Sequence, residues 1–163
     1  MLPSRLTVSP DERFVVFLIG MRVNRPWMVP AIWAIAAGMQ RMLGELERDP
    51  EAGLLRAESW FGRTTISVQY WRSEEHLLAY AHDKEREHTS TWAAWSKRLG
   101  LDGAIGIWHE TYVVAPGGYE CVYVHMPPFG LGGAFPRVPA DGPLSTARRR
   151  LTAASPERRV AAL

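Results

Sequence analysis

The chain has 163 residues, of which 47% are hydrophobic and 22% are charged, and its formal net charge is +2. This is ordinary for a globular protein with a buried core, and so small a positive excess does not indicate a nucleic acid or a membrane surface as a partner. The single cysteine, Cys121, excludes an internal disulfide and a cysteine zinc site, which is typical of a cytoplasmic protein. Residues 1–11 lack the pattern of a signal peptide, and we expect a loose leader there.

Residues 12–133 are predicted to form one domain that begins with a strand and a helix. The segment 14–23 is apolar on both faces, which is typical of a central strand, and it is far shorter than the roughly 20 residues of a membrane span. From residue 27 to residue 48, apolar side chains recur at steps of three and four, which predicts an amphipathic helix. Two strand candidates, residues 54–61 and 64–71, flank Gly62-Arg63 and predict a hairpin.

The second half of the domain is predicted to repeat this alternation. Ser73 is a suitable N-cap for a helix that runs to about Leu99 and stops at Gly100. Residues 104–114 and 119–126 are strand candidates on either side of a Pro-Gly-Gly turn. The order β-α-β-β-α-β with an extra strand is the ferredoxin-like arrangement, an α+β fold with helices on one face of an antiparallel sheet. Since the strands are apolar on both faces, we expect a second copy to cover the other face in a homodimer.

The chain changes character after about residue 127. Glycine and proline are frequent up to residue 143, and arginine, alanine and serine dominate the rest. We therefore expect residues 134–163 to form a disordered tail. A basic tail can bind nucleic acid or an acidic partner, but a solvated tail is the simpler interpretation, and we predict no nucleic acid partner.

One histidine of the second predicted helix is placed on its apolar face. At 100° per residue, an arc of roughly 60° contains Leu77, Ala81, His88, Trp92, Trp95 and Leu99. His76 and His82 fall outside this arc. His88 is therefore predicted to point toward the sheet, where it would be a core histidine bonded to a backbone carbonyl, a base or proton shuttle, or a haem ligand.

A second histidine lies on an apolar strand face. In the stretch 105–113, alternation places His109 beside Ile105 and Ile107, with Trp108 and Tyr112 on the opposite face. His109 is either a polar group in a pocket or part of a cross-strand or interface pair. The chain has no G-x-G-x-x-G after a strand, no P-loop, no H-E-x-x-H and no G-x-S-x-G, so these nucleotide, zinc and serine-nucleophile motifs are excluded.

Four stretches carry a family resemblance: GRTTISVQYWRSEEHLLAYAHDKEREH from residue 62, WAAW from 92, GIWHETYVV from 106 and YECVYVHMPPFGLG from 119. Within residues 14–131, the sequence resembles the dimeric α+β-barrel superfamily that includes the antibiotic-biosynthesis monooxygenases. In that superfamily it is similar to a bacterial branch related to a fungal fumagillin-pathway monooxygenase. The tail after about residue 133 is outside the resemblance.

The resemblance implies a small monooxygenase that oxidises an apolar or aromatic small molecule with O₂, without a metal or flavin. The substrate would lie in a pocket between helices and sheet, and its carbanion would reduce O₂. In this hypothesis His88 is the base or proton shuttle and His109 is a polar partner in the pocket. The candidate pocket walls are Trp60, Tyr70, Trp71, Trp92 and Trp108.

Two alternatives stay open. Haem-binding relatives of the fold, among them haem-degrading enzymes and aldoxime dehydratases, place an axial histidine on the second helix, which implies His88 as a haem ligand. The other alternative is a dimer that binds a small ligand without catalysis, in which the histidines are core residues. The most favoured expectation is an enzyme without a cofactor, with haem as the alternative.

Overall fold

The computed structural model describes residues 5–27, 29–83 and 103–153, and the structural statements below concern these residues. Its centre is a four-stranded antiparallel sheet, called the main sheet, in the order β3-β4-β2-β5. The strands are β2 (Phe14–Val23), β3 (Leu54–Trp60), β4 (Ile66–Trp71) and β5 (Ile105–Val114). Helix α1 (Val29–Arg48) joins β2 to β3, and helix α2 (Glu74–His82) follows β4. The predicted ferredoxin-like α+β fold is confirmed.

Both helices pack on one face of the main sheet, called here the helix face. Alternate residues of β2 point to this face because side chains alternate along a strand. Val15 packs with Trp71 and with Leu77 of α2. Met21 packs with Ile35 of α1. Each fully buried apolar side chain of this kind contributes roughly 1.5–3 kcal/mol, so the two clusters hold the helices against the sheet.

Helix α2 is shorter than predicted. It begins after Ser73, whose hydroxyl accepts a hydrogen bond from the backbone N–H of His76 at 3.4 Å. It ends at His82, because Asp83 has an extended backbone with φ −71° and ψ 113°. The prediction of one continuous helix to Leu99 is therefore wrong at Asp83, and the helical phase counted from Leu77 does not carry through to His88. His88, Trp92 and Trp95 lie outside the described residues.

A second, three-stranded sheet covers part of the opposite face of the main sheet, called the far face. It has the order β6-β1-β7, with strands β1 (Arg5–Val8), β6 (Tyr123–Val124) and β7 (Arg137–Pro139). Residues 5–8, predicted as a loose leader, form its central strand. The strand predicted over 119–126 is reduced to two residues. Because Val8, Phe14 and Leu131 form a buried cluster between the sheets, the chain itself covers part of the face for which a second copy was expected.

Residues 134–153 also differ from the predicted disordered tail. They include β7, the end of a short helix α3 (Leu131–Ala134) and helix α4 (Ala147–Ala153). Arg150 of α4 is only 7% exposed. Its Nε donates to a carboxylate oxygen of Glu120 at 2.7 Å, and its Nη1 donates to the carbonyl of Leu144 at 2.9 Å. An arginine-rich sequence is ordered here because one of its guanidinium groups is buried and hydrogen-bonded.

Candidate functional site

A groove between α1 and the main sheet, called the α1 groove, is the leading candidate site. Its cavity volume is about 30 Å³. The groove is therefore narrow. Its apolar floor and wall are formed by Ile19, Met21, Ile35, Ala36, Met39 and Ile107.

Two serine hydroxyls interrupt this apolar lining. Ser59 of β3 and Ser67 of β4 are directly opposite each other in the strand register. Their hydroxyl oxygens are buried, Ser67 is only 4% exposed, and within the described part of the chain neither oxygen has a hydrogen-bond partner. A buried hydroxyl without a partner destabilises a protein by about 1–3 kcal/mol, so both oxygens are available to a polar group in the groove.

Ser67→Ala is expected to raise the free energy of unfolding by about 1 kcal/mol, because it removes a buried hydroxyl without a partner. Thr65→Val is the matched control, since Thr65 also lines the groove but its hydroxyl accepts a hydrogen bond from the N–H of Met21 at 3.0 Å. We expect it to lower the free energy of unfolding by about 1–2 kcal/mol. Urea denaturation measures both. A loss of stability in Ser67→Ala would contradict this account of its hydroxyl.

The mouth of the groove is aromatic. Trp60 and Phe61 are 45% and 69% exposed, and they lie there with the exposed Gln40 of α1. Trp60 also packs against Phe129, with ring centroids 6.0 Å apart and ring planes at 71°. Trp60 thus lines the candidate site at its entrance.

A second cavity, called the α2 cavity, adjoins the groove on the helix face. Its volume is about 60 Å³. Ile19 and Met39 line both spaces and so form the partition between them. Trp71 lines the α2 cavity, and its indole Nε1 donates to Oε1 of Gln69 at 3.0 Å. Methionine is flexible, so a rotation of Met39 can enlarge either space.

His109 lies next to these spaces but lines neither. It is opposite Ile19 in the register of β2 and β5, and its ring centroid is 5.8 Å from that of Phe17, which lines the α2 cavity. Its side chain is exposed at the β5 edge of the helix face. The structure therefore brings one of the two predicted catalytic histidines close to the site, within reach of solvent.

The predicted pocket walls do not share one space. Tyr70 is on the far face, packed against the cluster of Val8, Phe14 and Leu131. Trp108 is also on the far face, opposite Gly20 in register. A Cβ added to Gly20 would lie 2.0 Å from the carbonyl oxygen of Thr65 and 2.9 Å from Nε1 of Trp108, so the missing side chain lets both groups approach β2. Trp60 and Trp71 are thus the described tryptophans that line the candidate spaces.

Tyrosines on the far face carry the largest pKa shifts among the described groups. The hydroxyl of Tyr123 accepts a hydrogen bond from the N–H of Gly132 at 2.8 Å, and that of Tyr119 donates to the carbonyl of Pro10 at 3.3 Å. Burial raises the pKa of each from 10.0 to about 12. Burial also raises the pKa of Tyr70. These phenols belong to the packing between the two sheets.

The stability of the protein is expected to fall as the pH rises from about 10 to about 12. The raised pKa values of Tyr119 and Tyr123 mean that folding favours the neutral phenol, so their contribution is complete below pH 10 and is lost above it. Urea denaturation at several pH values measures this fall, which should be shallower in Tyr123→Phe. Phenolate absorbance that rises fully near pH 10 while the protein stays folded would contradict the prediction.

Over the described residues, no group of three or more histidine, cysteine, aspartate or glutamate side chains gathers as a metal site. In the same part of the chain, none of the helices has the length and apolar character needed to cross a membrane.

The fold and the groove define the class: an α+β protein with a ferredoxin-like sheet of the kind found in dimeric α+β barrels. A crystal structure of aldoxime dehydratase has a TM-score of 0.56 over 69% of this chain and 35% of that chain, at 15% identity. An aldoxime dehydratase in complex with butyraldoxime has a TM-score of 0.50 over 68% of this chain and 35% of that one, also at 15% identity. At such low identity, these likenesses show the fold alone.

The sequence comparison is more specific. The chain belongs to the Monooxygenase af470-like family, which matches residues 14–131. It is 33% identical over 127 residues to Monooxygenase af470 of Aspergillus fumigatus. The match covers 72% of this chain and 45% of the fungal protein, so the chain spans less than half the length of this relative.

Proposed function

We propose that the protein is a monooxygenase that oxidises an apolar or aromatic small molecule in the α1 groove. The observation that carries the proposal is membership of the monooxygenase family over residues 14–131, a range that contains every described residue of the groove. The apolar lining supports an apolar substrate, since small-molecule sites are mostly apolar with a few polar groups.

The proposed reaction needs no external reductant. A substrate with an acidic C–H bond loses a proton to the protein, and its carbanion then reduces O₂. For an activated methylene group, one oxygen atom ends as the new carbonyl and the other leaves as water, so that the substrate supplies all the electrons. His109 and His88 are the proposed proton acceptors, because a neutral imidazole is a suitable base near neutral pH. For His109, its position directly opposite Ile19, which lines the α1 groove, supports this role.

Oxygen consumption with phenylacetone, a single aromatic ring whose methylene group is activated by a neighbouring ketone, tests the activity. We expect faster consumption with protein than without it, and one atom of isotopically labelled O₂ in the product. His109→Gln should lower kcat by at least about tenfold, since a positioned base contributes 10²–10⁴-fold. Thr111→Val, at an exposed position on the same strand face, is the control. Full turnover in His109→Gln would contradict its role as a base, and no acceleration with the wild type would contradict oxygenation of this substrate class.

Haem remains the alternative cofactor, and the described residues do not by themselves form a site for it. Neither the α1 groove nor the α2 cavity is lined by a described histidine, and both are small for a macrocycle. His88, the axial ligand implied by the sequence resemblance, lies outside the described residues.

No Soret band is expected when haem is added to the purified protein, because the proposed reaction needs no cofactor and neither the α1 groove nor the α2 cavity has room for a macrocycle. The visible absorbance spectrum, recorded during a haem titration, is the measurement. A band that forms with the wild type and is lost in His88→Ala would establish the haem alternative instead.

The narrow groove favours a second candidate, a protein that binds a small ligand without catalysis. The cavity volume of the groove is only about 30 Å³. The oxygen measurement above decides between the two functions, since this candidate binds the ligand but consumes no O₂.

We also propose that the protein is a cytoplasmic homodimer. Tyr112 on the far face is 50% exposed, which is consistent with a partner surface on the part that the second sheet leaves open. Light scattering after size-exclusion chromatography measures the oligomeric state.

A further inference from the structure

We infer that Ser59 and Ser67 are the polar anchor of the α1 groove, and that they select an uncharged ligand carrying a hydroxyl or carbonyl oxygen. The inference deepens the proposed function and rests on it in one respect, namely that the groove is the substrate site. It concerns the class of molecule that binds, which can be measured without turnover.

The two hydroxyls are positioned to contact one ligand atom. They project from directly opposed residues of neighbouring antiparallel strands, whose Cβ atoms are roughly 4.5–5.5 Å apart in this arrangement. Both oxygens are buried and without a partner in the described part of the chain. Thr65, a third hydroxyl of the lining, is already bonded to the N–H of Met21. The serines therefore differ from the other lining hydroxyl in having free hydrogen-bonding capacity.

The charge of the lining determines which ligands these hydroxyls accept. No charged side chain lines the groove among the residues that the structure describes. Burial of a carboxylate without a cation is strongly unfavourable, whereas a neutral hydroxyl or carbonyl needs only the hydrogen bonds that serine can give or accept. The site should therefore prefer a phenol or a ketone to a carboxylic acid of the same shape.

The shape of the groove sets the size of the ligand. A flat apolar body would lie against Ile35, Met39 and Ile107, after entry past Trp60 and Phe61. Since the cavity volume is only about 30 Å³, Met39 has to change rotamer to admit an aromatic ring. A single ring with a short substituent is the appropriate probe.

Isothermal titration calorimetry at neutral pH with 4-ethylphenol, ethylbenzene and 4-ethylbenzoate tests the inference. The wild type should bind 4-ethylphenol at least about tenfold more tightly than the benzoate, because only the latter brings a charge. The Ser59→Ala/Ser67→Ala variant should bind the phenol about fivefold to twentyfold more weakly, which corresponds to two modest hydrogen bonds, and ethylbenzene as tightly as before. Thr111→Val should match the wild type with all three probes.

Three results of this calorimetry would overturn the inference. The first is an affinity of the double variant for the phenol that equals that of the wild type. The second is wild-type binding of the benzoate as tight as that of the phenol, and the third is no binding of the phenol by the wild type. If the double variant does not fold, Ser67→Ala alone gives the same comparison. Binding that follows the predicted pattern without oxygen consumption would leave the anchor in place and reject the monooxygenase. Turnover whose KM is unchanged in the double variant would support the monooxygenase and reject the serine anchor.

Discussion

Trp71→Ala is expected to lower the free energy of unfolding by about 3–5 kcal/mol, the usual range for removal of a buried tryptophan. Trp71 is only 1% exposed and packs with Val15 and Leu77 between the main sheet and α2. Its ring centroid lies 5.9 Å from that of Tyr80. The substitution also removes the indole that donates to Gln69, and so leaves a buried amide oxygen without its partner.

Trp60→Ala is the matched control, because Trp60 is a second predicted pocket wall on the neighbouring strand. It is 45% exposed, so its removal should lower the free energy of unfolding by less than about 1 kcal/mol. Urea denaturation of both variants measures the difference. Equal losses would contradict the distinction between a core tryptophan and one at the mouth of the groove. Weaker binding of 4-ethylphenol by Trp60→Ala would further support its place at the entrance.

The main sheet could be predicted from sequence because its strands have strong local signals. The observed β2 spans Phe14–Val23, as predicted, and β5 begins within one residue of its predicted start. The alternation of polar and apolar residues also predicts β4, but alternation alone does not say which face of the strand meets the helices. Ser67 and Gln69 face the helices and are each 4% exposed, although polar residues usually face solvent. The sequence feature that indicates this orientation is Trp71, a large aromatic side chain in the same phase as Ser67 and Gln69. Trp71 is almost fully buried.

The error at the second helix has a different origin. Residues 73–99 contain neither glycine nor proline, and the periodicity of their apolar side chains therefore predicts one long helix. The helix nevertheless ends at His82, before an extended Asp83. No standard breaker marks this position, and the prediction that His88 points toward the sheet requires an unbroken helix. The role of His88 is therefore a proposal that the family resemblance supports and helical geometry does not.

The second sheet could not be predicted because its strands are short and its partners are distant in sequence. Arg5 pairs with Val124, and Thr7 pairs with Val138. Strands of two to four residues carry too little periodicity to distinguish them from loops. The ordered structure after residue 134 could not be predicted either. It depends on contacts such as that between Arg150 and Glu120, which are 30 residues apart. The arginine-rich composition alone favoured a solvated tail.

The contact between Arg150 and Glu120 is expected to contribute strongly to the free energy of unfolding. The guanidinium of Arg150 is almost fully buried and bonds both Glu120 and the carbonyl of Leu144. Arg150→Ala is expected to lower the free energy of unfolding by about 2–3 kcal/mol. This is below the range for a fully buried pair, because the Glu120 side chain is 27% exposed and water can solvate it once the arginine is gone. Arg150→Lys should lose part of this, since an ammonium cannot replace the guanidinium at both acceptors.

Arg149→Ala is the matched control, because Arg149 is the preceding residue of α4 and carries the same charge. Its side chain is exposed and bonds the carbonyl of Gly142 at 3.2 Å, so its removal should change the free energy of unfolding by less than about 0.5 kcal/mol. Urea denaturation measures both variants at the same net charge, so the comparison removes any general effect of charge. Small losses in both variants would show that α4 adds little to the second sheet. A large loss in Arg150→Ala alone would show that residues beyond 134 stabilise the cover on the far face, and that a variant truncated there loses more than a tail.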